Sequence, residues 1–145
     1  EYTPDNSLTR GLTISELQSQ GIIDGSGNLT PSHDAATANW GGSWRMPTKE
    51  ELEELKNECT WTWTTQNGVN GRKVTGPNGN HIFLPAAGSR LGSSLYDAGE
   101  SGFYWSSTPY ESYRGSAYYL GFNSSNQGVS WGYRYYGLSV RPVAE

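Results

Sequence analysis

Hydrophobic and polar positions change their period once along this chain. Up to about residue 59 the apolar residues recur at helical spacing, and from Thr60 they recur at every second position. Thr13-Ile14-Ser15-Glu16 is a capping box, in which the Thr hydroxyl accepts from the amide three residues on and the Glu reaches back. Ile14 and Leu17 then share one face of a short helix that Gly21 stops. Ile22-Ile23 reads as a buried couple and 24–28 as a turn, with a further short helix expected over 32–39. Thr48-Lys49-Glu50-Glu51 is a second capping box, opening a helix over 48–58 that turns Leu52, Leu55 and Cys59 inward. Residues 1–12 have no period and read as an extended lead-in.

The second half reads as strands. TWTWTT alternates from Thr60, and Asn67-Gly68 and Asn70-Gly71 are both turn dipeptides. Residues 72–75 and 81–84 flank Gly76-Pro77-Asn78-Gly79-Asn80 as a β-hairpin, Pro85 closes it, and AAGSRLGSS reads as a loop. Further strands are expected over 104–107, 117–122, 128–131 and 138–143. The expected fold class is α+β: two or three short helices followed by irregular antiparallel strands and hairpins, in one domain over 1–145.

Within 117–122 the alternation sets Tyr118, Leu120 and Phe122 on an inward face and Tyr119 and Gly121 on an outward one. Further on, Val129 and Trp131 read as core anchors, and Ser130, Gly132 and Tyr133 as contacts. Trp40-Gly41-Gly42-Ser43-Trp44 pairs two indoles with two glycines, which suggests backbone passing close to rings.

Composition sharpens this picture at one place. The chain is only 34% hydrophobic yet 13% aromatic, so its core leans on rings. From Phe103 to Val143, rings are interspersed with Ser, Gly, Asn and Arg. That is the alphabet of a paratope: Tyr supplies amphipathic area at little rotamer cost, and the small polar residues adapt their hydrogen bonds. Consecutive rings such as Tyr133, Tyr135 and Tyr136 cannot all point inward.

Charge and candidate chemistry mostly exclude. A net charge of −4 gives no electrostatic footprint for nucleic acid. Cys59 is the single cysteine, so no intrachain disulfide and no Cys-based zinc site exist, and no apolar run is long enough to span a bilayer. His33 and His81 lie in no recognisable catalytic context, and the glycines follow no phosphate-binding spacing. Asp24, Gly25 and Asn28 faintly suggest a calcium loop, but no acid closes it at the required spacing. Glu50, Glu51, Glu53 and Glu54 read as the solvated face of a capped helix. No metal, no cofactor and no catalytic residue is expected. A chain opening at Glu1 reads as a processed or trimmed product.

Four blocks in order, GGSWRMPTKEELEEL, NGNHIFLPAAGSR, GFYWSSTPY and GLSVRPV, resemble the Fibrobacter succinogenes major paralogous domain family. That family comprises bacterial surface and secreted domains of C-type lectin-like fold, distantly similar to formylglycine-generating enzymes. The resemblance runs from about Asp34 to the C-terminus and covers little of 1–33. The last forty residues also resemble the variable region of C-type lectin-fold proteins diversified by retroelements, in which Asn codons are rewritten to Tyr, Ser, Gly, Asp, His or Arg. The resemblance implies ligand contact at Tyr110, Ser112, Tyr113, Ser116, Tyr119, Gly121, Ser130, Gly132, Tyr133, Tyr135 and Tyr136, with Arg114 adding charge-assisted bonds and Arg134 either helping or bracing the scaffold.

The expected function is therefore a non-enzymatic receptor- or adhesin-type domain, extracellular, on a cell surface or on a phage particle. It would bind an unknown protein or glycan. A fixed carbohydrate-binding or structural surface module is the alternative. A formylglycine-type enzyme is disfavoured because a single Cys does not supply its thiol site, and calcium-dependent sugar binding because the Glu-Pro-Asn, Gln-Pro-Asp and Trp-Asn-Asp tripeptides are missing.

Overall fold

The computed structural model describes residues 11–144, so most of the lead-in expected over 1–12 lies outside the described residues. Helix α1 spans Ile14–Ser19 and carries the expected reciprocal cap: Glu16 N–H donates to Thr13 Oγ1 at 3.2 Å and Thr13 N–H to Glu16 Oε2 at 2.7 Å. It buries Leu17, and Gly21, at φ +68°, turns the chain away. Helix α2 is Ala35–Trp40, three residues later in its start than the expected 32–39. The delay has a cause: the His33 and Asp34 amides both donate to Thr30 O, closing a separate turn before the Asp34 carboxylate caps the helix through the Ala36 and Thr37 amides.

The Gly pair before strand β1 (Trp44–Arg45) corrects another expectation. Nothing lies within 4 Å of a Cβ built on Gly41 or Gly42, but both have positive φ, +65° and +59°. Glycine is there for backbone handedness, not close approach to rings. Helix α3, Lys49–Glu58, begins at the second capping box. Its Glu51 departs from the solvated row of acids: it takes two hydrogen bonds from Arg45, at 2.6 and 2.8 Å, and one from the Thr48 amide. The Arg45 guanidinium holds the Glu51 carboxyl below its usual range.

Strands β2 (Thr60–Gln66), β3 (Val69–Thr75) and β4 (His81–Pro85) form an antiparallel meander. Its first turn is Asn67-Gly68, both at positive φ, the two-residue geometry that matches strand twist. Asn70-Gly71, expected as a turn, is instead inside β3, opposite Thr65 and Thr64. A Cβ on Gly71 would fall 2.3 Å from Leu84 O and 2.7 Å from the Phe83 ring, so this glycine permits a close crossing. The expected loop 86–94 holds a small hairpin, β5 (Ser89–Leu91) with β6 (Ser94–Tyr96).

The central sheet is β7 (Gly102–Pro109), β8 (Ser116–Phe122) and β9 (Gln127–Tyr133), antiparallel with β8 in the middle. Leu120 lies between Tyr104 and Val129, and Tyr119 between Trp105 and Ser130. The strand expected over 138–143 is mostly absent. Ser139 bridges Tyr104, and its N–H and C=O bond Phe103 O and Trp105 N. The chain then crosses Pro142, which has no N–H to give, and pairs as β10 (Val143–Ala144) with β1.

Helices α1 and α2 pack on one face of the central sheet and the meander and α3 on the other, producing two cores. Trp105 and Ala117 belong to the first, with Leu17, Ile23 and Met46; Tyr104, Leu120 and Phe122 belong to the second, with Leu52 and Leu84. This overturns the outward placing of Tyr119 and Gly121. A strand covered on both faces has no solvent side, so alternation separates two cores rather than core from water. The fold is α+β, and no described helix is long and apolar enough to cross a membrane.

The candidate ligand-binding face

At one end of the central sheet the loop 110–115, the last residues of β9 and the turn 133–137 come together. Tyr110 N–H donates to Ser116 O, Arg134 N–H to Gly115 O and Tyr136 N–H to Tyr133 O, which fixes the three segments against one another. Rings fill the space above them. Trp131 is sandwiched between Tyr110 (centroids 5.0 Å, planes 5° apart) and Tyr113 (5.2 Å, 22°). Tyr133 meets Trp131 and Tyr113 edge to face, at 6.1 and 6.0 Å, and stacks on Tyr135 at 5.2 Å. Tyr136 closes the cluster 5.0 Å from Tyr135. Tyr113 is 50% exposed and Trp131 37%, so this is a surface of rings and not a sealed core.

The rim is anchored electrostatically. Tyr110 sets its ring perpendicular to Tyr118 at 5.1 Å; the Tyr118 hydroxyl donates to both Glu111 carboxylate oxygens, at 2.9 and 3.0 Å, and Lys49 Nζ lies 4.6 Å from the Tyr118 ring centroid. Burial, and then the bond to Glu111, push the Tyr118 phenol up to about 12. The Tyr133 phenol is raised by its hydrogen bond to Tyr113, and that of Tyr136 by burial and then by neighbouring Tyr135. The Tyr118, Tyr133 and Tyr136 phenols are therefore uncharged across the neutral range, and Arg114 and Glu111 stand at the margin of the face.

The residues expected to make contact divide three ways. Tyr110, Tyr113, Tyr133, Tyr135 and Tyr136 form the ring cluster, and Ser112 and Ser130 are exposed beside it. Arg114 is exposed but engaged, donating to Gly11 O at 2.6 Å and pairing with Glu16 at 3.5 Å. Ser116 is fully buried, and its hydroxyl makes no hydrogen bond to a described residue. Gly132 is buried and Gly121 half-buried, on either side of the half-buried Tyr119 ring: a Cβ on either would lie 3.1 Å from it. These two glycines seat Tyr119 rather than meet solvent.

The alternative left open for Arg134 resolves, and the assignment of Trp131 changes. Arg134, 2% exposed, is a brace: Nε donates to Ser116 O at 3.1 Å and an Nη to Leu12 O at 3.2 Å. Trp131, expected as a core anchor, is the middle ring of the exposed stack. The signal was available, because period-two alternation puts 129, 131 and 133 on one face, running from the second core at Val129 out to the rim at Tyr133.

Among the described residues no three His, Cys, Asp or Glu side chains come together to hold a metal ion. Cys59 caps α3 half-buried against the second core, and His33 and His81 lie on other segments, with His33 Nδ1 at 3.0 Å from Thr30 Oγ1. The face offers area, edges and hydroxyls.

No curated protein and no solved structure matches the chain. A family model described as the Lcl C-terminal domain matches residues 15–144, a span that takes in all but the first residue of α1, helices α2 and α3, the central sheet and the whole aromatic face. The chain belongs to the Lcl C-terminal domain family.

Proposed function

We propose that this protein is a non-enzymatic binding domain that grips a protein ligand through the Tyr110–Trp131–Tyr113–Tyr133–Tyr135 face. The observation that carries the reading is the sandwiching of Trp131 between two tyrosines, which leaves a broad, half-exposed, uncharged surface of rings and hydroxyls. Rigid aromatic anchors at the centre of a contact, ringed by adaptable Ser and Gly, are where binding energy concentrates in interfaces. Stacking within the cluster uses up ring faces and presents edges and hydroxyls, which suits a protein surface better than a sugar needing an open ring.

The finer reading is that the domain has a C-type lectin-like fold akin to the Fibrobacter paralogous family, displayed outside the cell or on a phage particle, and that its face is rewritten by a retroelement. The Tyr and Ser at exposed positions 112, 113 and 130 and half-buried positions 110, 133 and 135 support it, since these are products of randomised Asn codons, while framework residues lie between.

The test has two arms. Display of the chain against an array of extracellular proteins is expected to retain a partner that Tyr113→Ala and Tyr135→Ala both release, with unfolding unchanged. Retention of the partner by both variants would sink the binding face. A near-copy of the DNA for residues 105–143, differing only at adenines and beside a reverse transcriptase gene, is expected at the source locus. Its absence would reduce the reading to a fixed domain.

A further inference from the structure

We infer that the chain carries a second, calcium-independent site, for a neutral saccharide, in the cleft between the 24–28 turn and the Trp44 loop. It stands apart from the tyrosine face and does not rest on that reading. The cleft has a volume of about 440 Å³, the size range of small-molecule sites, and Asp24, Ser26, Asn28, Thr37, Ser43 and Trp44 are among its lining residues.

Three features give it the chemistry of a sugar site. The first is an available indole. Trp44 is 44% exposed and meets Trp40, 60% exposed, nearly perpendicular at 6.0 Å, a contact that covers far less ring than stacking would. The C–H face of a pyranose needs an open ring.

The second is a paired donor and acceptor. Asp24 Oδ1 is occupied by the Ser26 and Asn28 amides, while Oδ2 makes no hydrogen bond to a described residue. Asn28 Oδ1 takes the Ser107 and Thr108 hydroxyls, which fixes the amide and leaves its Nδ2 donors uncommitted. A sugar hydroxyl both gives and accepts, so a carboxylate beside an amide NH2 matches it on both counts.

The third is charge and rigidity. Exposed Asp24 lines the cleft, the buried Asp34 carboxylate in its wall is taken up by the Ala36, Thr37 and Met46 amides, and the cation on that wall, Arg45, is held by Glu51 in two bonds. That balance repels sulfate, phosphate and acidic sugars and selects a neutral polyol. The walls are already fixed. Thr37 Oγ1 donates to Trp44 O at 2.9 Å, the Met46 amide donates to both Asp34 oxygens, and Trp44 N–H closes the glycine turn on Gly41 O. Little ordering is left to do on binding.

The chain should be passed over an array of immobilised neutral and sulfated glycans, and hits titrated as free mono- and disaccharides by saturation-transfer NMR. At least one neutral glycan is expected to be retained. Trp44→Ala should weaken it by about tenfold or more, Trp44→Phe should largely restore it, and Tyr113→Ala should leave it unchanged. Ser43→Arg, at an exposed loop position, is the second variant: it fills the cleft without touching either core and should also abolish retention. Retention of sulfated glycans alone overturns the inference, as does no retention at millimolar saccharide, loss of sugar with Tyr113→Ala, or binding by both cleft variants equal to wild type. The tyrosine face survives any of these, because its readout is a protein partner.

Discussion

Tyr110 lies flat on Trp131, with ring centroids 5.0 Å apart and planes within 5° of parallel, and the two come from different segments of the chain. Their contact makes the loop after β7 and the end of β9 one surface. It also means that the outer rings and the middle ring of the stack answer differently to truncation.

Tyr113→Ala removes an outer ring, half in water, and is expected to cost under about 1 kcal/mol of stability while abolishing partner binding. Trp131→Ala removes contacts to three rings at once and should cost about 2–3 kcal/mol as well as binding. Urea melts of the two variants, run beside the binding assay, check the split. Equal destabilisation would show that the stack is a continuous core.

Arg134→Met should be among the most damaging single changes. It strips donors from Ser116 O and Leu12 O inside the fold, with an expected loss of about 3 kcal/mol, and Arg134→Lys should recover little because an ammonium lacks the planar fork. Chemical denaturation of the three proteins decides this.

Ser116→Ala points the other way. The Ser116 hydroxyl is buried and bonds no described residue, so its removal is expected to be neutral or to stabilise by up to about 1 kcal/mol. If Ser116 were a contact residue, the variant would lose partner affinity instead. Thermal melts and binding read the two outcomes separately.

Stability should fall off at both ends of the pH scale, for opposite reasons. Burial pushes Tyr104 and Tyr118 up to about 12, from 10.0 in the unfolded chain. The folded state therefore keeps those protons longer, and its advantage is full below pH 10 and lost as pH rises toward 12. Arg45 depresses the Glu51 carboxyl below its ordinary 4.5, so that contribution is full above pH 4.5 and lost as pH falls through the lowered value. Ultraviolet titration of tyrosine should show late phenols, Tyr104 and Tyr118 among them. Glu51→Gln should flatten the acid limb of a plot of stability against pH. An unchanged acid limb would remove the pair from the account.

Much of the scaffold was legible because its signals are local. Both capping boxes, the Asn67-Gly68 turn and the central strands 104–107 and 117–122 depend on neighbours in sequence, and the structure has them where the pattern puts them. The errors came where a distant segment decides. Gly71 reads as a turn residue until β4 passes over it, and 138–143 reads as a strand until Ser139 spends its backbone on β7 and the chain leaves for β1. For the face, the composition of 103–143 located the rings but not their layering. Tyr119 and Trp131 exchanged expected roles because the central sheet is covered on both sides, which one strand's alternation does not reveal.

The Tyr119 ring, seated between Gly121 and Gly132, has a consequence for heredity as much as for packing. Three positions that a mutating gene would treat as separate letters share one volume. A side chain at 121 or 132 comes within 3.1 Å of a ring at 119, so bulk there requires the ring to shift, and a small residue at 119 relieves both. Substitutions at the three positions are therefore expected to be coupled, and a change at one is best tolerated with a compensating change at another.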